Sequence, residues 1–159
     1  MGKPRIDENA FPYSTLIPVR WADQDALGHV NHAHYLTYFE QARCACIAER
    51  GLFVEGGCEG PVVAWAELRY RTPVKYPAAL RFYLRVASLR ESAFRMDFAA
   101  RNETTGQWAA EGAALVVWTN LIEGRRAPLP ADWMRALRGL GGQEKTSNGP
   151  EDGKLSQSR

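Results

Sequence analysis

The chain has 159 residues, 45% apolar and 24% charged, with a formal net charge of +2. That length builds one domain with a core of its own. It holds no run of five basic residues for a nucleic acid and no window near the ~18 apolar residues of a membrane span, so neither partner is expected.

Residues 1–12 read as a polar arm with no apolar signal core, and soluble cytoplasm is the expected compartment. Three cysteines, Cys44, Cys46 and Cys58, form no CxxC pair and read as small reduced core residues, not as a disulfide framework. Tyr13 to Trp21 is strand-like. Its Pro18 cannot donate to a ladder, which suggests an edge or a bulge. Asp23 to Gly28 is a turn with two carboxylates, and Gly28 supplies the backbone angles that a tight turn needs.

A long helix is expected from Asn31 or His32 to Arg50, with Asn31 as N-cap and Gly51 just past the end. Its about 19 residues would span roughly 28 Å. Tyr35, Leu36, Tyr38, Phe39, Ala42, Ala45, Cys46 and Ile47 make it apolar around most of its girth, so it should be wrapped by other structure. Glu40 and Arg43 stand at the spacing of a supporting ion pair.

Beyond the glycine-rich connector, Leu52 to Gly60, the periodicity changes to two. Strands are read at Val62 to Thr72, Leu80 to Leu89, around Phe94 to Phe98, and Trp108 to Thr119, with a hairpin turn at Asn102 to Gln107. The last strand has Ala109 and Ala113 on its second face and should be buried on both sides. Arg69, Arg71, Lys75, Arg81, Arg85, Arg90 and Arg95 alternate with apolar residues and read as solvated sheet faces, some of them available to a polyphosphate. A short helix follows at Asp132 to Leu137, and from Gly139 a polar, low-complexity tail is expected to be mobile. The domain is thus 13–138, α+β, with about five antiparallel strands in a meander-like sheet curled round one central helix: a hot-dog architecture.

The chemistry concentrates at Val19 to Arg43, which holds all three histidines, His29, His32 and His34. A carboxylate just before a helix N-terminus faces free N–H groups and the positive end of the helix dipole. Such a pair can hold a carbonyl oxygen while the carboxylate attacks it or activates a water. His32 and His34, two apart on a helix, stand about 200° apart round its axis, so a shared metal ion is not expected. His29 reads either as a hydrogen-bond donor lining the site or as a plain structural residue of the turn.

Asp23-x-Asp25-x-x-Gly28-His29-Val30-Asn31, followed by a helix with Tyr35 and Phe39-Glu40-x-Ala42-Arg43, resembles the 4-hydroxybenzoyl-CoA thioesterase group of hot-dog acyl-CoA thioesterases. Tyr70-x-Thr72-Pro73-Val74-x-Tyr76 and Glu111-Gly112 extend the likeness, which covers Tyr13 to Leu137. The resemblance implies an acyl-CoA thioesterase that needs no cofactor. It makes Asp25 the catalytic nucleophile or general base, puts the oxyanion donor at the backbone N–H of about His32, and implies a homodimer or homotetramer with its site at the subunit interface. Gly28, His29, Val30, Asn31 and Tyr35 are the residues expected to bind substrate. The sequence departs from the family where His32 replaces a common Asn, and Leu27 stands where a plant acyl-carrier-protein thioesterase pattern has Asn. Two other readings share the pocket: a dehydratase or hydratase using His29 with Asp25, and a non-catalytic acyl-CoA-binding module.

Overall fold

Alternation of side chains decides the sheet. The strand Ala79–Arg90 buries Leu80, Phe82, Leu84 and Val86 and turns the partly exposed Arg81 and Arg85 to the other face. The computed structural model describes residues 6–52 and 56–143. Its elements in chain order are β1 (Tyr13–Pro18), α1 (His34–Ala48), β2 (Glu59–Tyr70), β3 (Ala79–Arg90), β4 (Ala93–Asn102), β5 (Trp108–Asn120), β6 (Arg125–Arg126) and α2 (Ala131–Gly139). All pairings are antiparallel, in the order β1-β3-β4-β5-β2, with β6 on the end of β5. This is the α+β, hot-dog arrangement that the pattern predicts, and Pro18 lies on an edge strand.

The meander is only partial. β3, β4 and β5 are neighbours in sequence and in space, but β2 pairs with β5, not with β3. The segment from Arg71 to Ala78 carries the chain across one end of the sheet instead of closing a hairpin. Two prolines, Pro73 and Pro77, keep it from joining a ladder. It docks on the region before α1, where Val19 N–H donates to the Ala78 carbonyl and Val30 N–H to the Val74 carbonyl. The Asp-containing turn and the start of the helix therefore sit at this end.

α1 packs on the sheet through Tyr35, Tyr38, Phe39, Ala42, Arg43, Cys46 and Ile47. Phe39 stacks on Phe98 at 4.2 Å between ring centroids. Gly112 lies opposite Phe98 in the register, and a Cβ there would stand 2.6 Å from that ring and 2.2 Å from the Glu67 carbonyl oxygen. The missing side chain makes room for the stack. The sheet curls round α1 with the helix on a single face, as expected, and Leu36, Thr37, Glu40, Gln41 and Cys44 form an exposed stripe on the other side, so the apolar girth of the helix is covered in part. The Glu40–Arg43 pair is present at 3.8 Å.

Two further expectations, on the cysteines and on the tail, are corrected, and the polar arm is placed. Cys46 is a core residue, but Cys44 and Cys58 are exposed. The arm is docked from Ile6 on: Glu8 accepts from the Tyr83 hydroxyl and pairs with Arg101, and Phe11 packs edge-on to Tyr83. The chain past Gly139 is held as far as Gln143. Leu140 is buried, and β3 donates from Val86 to the Leu140 carbonyl and from Leu89 to that of Gln143. The rest of the predicted tail lies outside the described residues.

Candidate active site

The two carboxylates of the turn have different surroundings. Asp23 closes a 3-10 turn, Trp21–Asp23, and is 1% exposed. Arg20 grips it through two guanidinium nitrogens, Nη2 at 2.7 Å from Oδ1 and Nε at 3.0 Å from Oδ2. The Tyr38 hydroxyl donates to it at 2.5 Å, and His34 Nδ1 lies 3.7 Å away. The Arg20 guanidinium holds the Asp23 carboxyl down at about 2, and burial and then this carboxylate push the Tyr38 phenol up. Asn31 N–H donates to the Asp23 backbone carbonyl, so Asp23 ties β1, the turn and α1 together. It is a structural hub.

Asp25 is only half-buried. Its N–H donates to the His29 carbonyl, its carbonyl accepts from Gly28, and Gln24 and Val30 bridge the base of the loop. Gly28 closes the turn at φ +72°, a left-handed conformation that suits glycine, as its place in the motif predicts. The Asp25 Oδ1 accepts from Leu27 N–H at 2.9 Å. Its Oδ2 has no hydrogen-bond partner among the described residues. One oxygen is thus fixed by the turn's own backbone.

The helix begins later than the sequence suggests. Asn31 still behaves as a cap, its Oδ1 accepting from Ala33 N–H at 3.0 Å and its carbonyl from His34 N–H at 3.0 Å, but regular helix starts at His34. Between these anchors the His32 N–H donates to nothing among the described residues. Asp25 and His32 both lie on the stretch before α1, each with a polar group that has no hydrogen-bond partner among the described residues.

The other residues singled out in the sequence divide. His29 is partly exposed on the turn beside Gly28, whereas Val30 is buried and seats the turn on the core. Tyr35 is buried too, and burial pushes its phenol up to about 12. Sequence reasoning missed Tyr70 as part of this site, although it stands in the resembling motif. At the end of β2 its hydroxyl donates to the His32 carbonyl at 3.0 Å, and its ring meets Tyr35 at 5.5 Å and His32 at 6.4 Å, both edge-on. It also missed Gln24, whose Oε1 accepts from Tyr76 N–H and locks the crossing segment to the turn. Among the described residues no three His, Cys, Asp or Glu side chains converge as metal ligands.

A cavity of about 510 Å³ lies elsewhere, on the outer face of the sheet under Ile6 to Phe11. The arginines and carboxylates around it pair with one another, Arg85 and Arg95 on Asp97 and Arg69 on Glu111. Arg69, Arg81, Arg85 and Arg95 are thus paired with carboxylates rather than simply solvated, which the alternation alone does not predict.

A curled antiparallel sheet, a long helix on one face and an acidic turn at the helix entrance define a hot-dog protein of the thioesterase type. Residues 19–137 match the family model of the thioesterase-like superfamily, and the chain belongs to that family. It is similar to the PA2801 protein of Pseudomonas aeruginosa, 35% identical, over 79% of this chain and 97% of that one, with a TM-score of 0.74. A thioesterase of Thermus thermophilus complexed with coenzyme A and zinc is 34% identical over 82% of this chain and 95% of that one, with a TM-score of 0.71. A 1,4-dihydroxy-2-naphthoyl-CoA thioesterase of Synechocystis shares the fold at 21% identity, with a TM-score of 0.75 over 81% of this chain and 97% of that one.

Proposed function

We propose that this protein hydrolyses acyl-CoA thioesters, with Asp25 as nucleophile or general base and the His32 N–H as oxyanion donor. The observation that supports the reading is that the Asp25 Oδ2 and the His32 N–H, both on the stretch before α1, have no hydrogen-bond partner among the described residues. In the general-base route, water adds to the thioester carbonyl carbon and gives its proton to Asp25, while the carbonyl oxygen takes up negative charge at the N–H. The C–S bond then breaks, and the thiolate of coenzyme A leaves with the electron pair. In the nucleophilic route Asp25 itself bonds to that carbon, expels the thiolate and forms an anhydride that water opens. A thiol of ordinary pKa ~8.5 leaves readily, so neither route needs a general acid. Asp25 is half-buried and has no cationic partner among the described residues, which supports its role over that of Asp23, whose two oxygens are already engaged.

The same reading includes a homodimer, open to further pairing as a tetramer. β2 is an edge strand of 12 residues, with Val62 at 41% and Val63 at 42% exposed, and an edge this long and apolar invites a partner strand. The exposed stripe of α1, with Leu36 in it, would be covered by the same association. The test is a panel of acyl-CoA thioesters followed for free thiol. Thiol release supports hydrolysis, hydration of an enoyl substrate would point to a hydratase, and binding without turnover would point to a sensor.

A further inference from the structure

We infer that Tyr70 is a positioning residue for the oxyanion donor, acting through its hydrogen bond to the His32 carbonyl; this rests on the thioesterase reading above. His32 precedes the regular helix, where no i to i−4 ladder fixes the backbone. The peptide unit that carries its N–H is held at one end, because the Asn31 carbonyl accepts from His34 N–H at 3.0 Å. The next unit is held by Ala33 N–H on the Asn31 side chain at 3.0 Å and by the Tyr70 hydroxyl on the His32 carbonyl at 3.0 Å. Both anchors on Asn31 are local, within three residues of His32. Tyr70 alone among these reaches in from the sheet, 38 residues along the chain, and ties the orientation of His32 to the frame of β2 and β5.

A donor that must meet a developing oxyanion gains from being fixed beforehand, since no reorganisation is then needed as charge builds. The ring of Tyr70 is itself braced edge-on against Tyr35, so the hydroxyl is presented from a defined direction. At 47% exposure Tyr70 contributes little to the core, which separates its effect on the loop from an effect on folding.

Tyr70→Phe removes the hydroxyl and keeps the ring. Turnover of an acyl-CoA substrate by Tyr70→Phe should show kcat reduced roughly tenfold, less than the loss of an oxyanion donor itself, with KM within about twofold and melting temperature near that of the parent protein. Unchanged kcat, or a raised KM at unchanged kcat, overturns the inference and leaves Tyr70 as pocket wall. A second readout does not depend on turnover: in amide spectra and hydrogen exchange, Tyr70→Phe should shift and speed the His32 and Ala33 amides while sparing the sheet. If those amides are unmoved, the inference fails. A parent protein that releases no thiol from any acyl-CoA, yet shows the amide response, counts against the thioesterase reading and not against the Tyr70 anchor.

Discussion

At Asp23 one carboxylate answers three side chains from two directions, and removing its charge leaves Arg20 and Tyr38 without their common acceptor. Asp23→Asn should destabilise the fold by about 1.5–3 kcal/mol, the range for hydrogen bonds to a charged group, read as a lower melting temperature at neutral pH. This exceeds a simple turn cap because the group is buried. The pH dependence has a definite direction. The folded carboxyl stands at about 2, below the ordinary ~3.9, so its stabilisation is complete above about pH 4 and is lost as pH falls towards 2. Thermal melts from pH 4 down to pH 2 should narrow the gap between Asp23→Asn and the parent. A constant gap would mean that the ion pair is not what stabilises the turn. Local sequence context does not separate the environments of the two carboxylates, since the resemblance to the family alone singles out Asp25; the depth of Asp23 and its contact with Tyr38 from α1 come only from the fold.

Elements were legible wherever a local period exists. Period-two alternation located β3, β4 and β5 closely, and the Thr105-Gly106 hairpin is closed by Gly106 N–H on the Asn102 carbonyl. Strand order was not legible in the same way, because the pairing of β2 with β5 joins residues far apart and no local signal records it. The start of α1 was misplaced by a few residues since Asn31 caps through an isolated turn before the ladder begins. The C-terminal boundary was misread for a related reason. The Gly-rich composition after Arg138 looks unstructured, yet a single leucine in it, Leu140, is buried against the sheet. A chain ending at Arg138 should therefore melt several degrees lower, losing this side chain and the backbone bonds to Val86 and Leu89, each a modest contribution. A chain ending at Gln143 should keep the parent melting temperature; equal melting of the two truncations would show that the Leu140 contact is dispensable.

Across the whole molecule, an edge strand and an exposed helix stripe accompany the acidic loop at one end of the sheet, where the chemistry is proposed. The first two lead to an oligomer: light scattering at micromolar concentration should give at least a dimer, and a monomer would contradict the role assigned to β2. The loop carries the proposed catalysis, and the proposal turns on Asp25. The most direct measurement is thiol release from an acyl-CoA panel by the parent protein and by Asp25→Asn, with binding of the same substrates followed in parallel. The parent should release thiol, Asp25→Asn should lose at least ~10²-fold of that rate, and binding should be retained, because the oxyanion donor belongs to the backbone. Normal turnover by Asp25→Asn, with Asp23→Asn folded but inactive, would contradict the role given to Asp25.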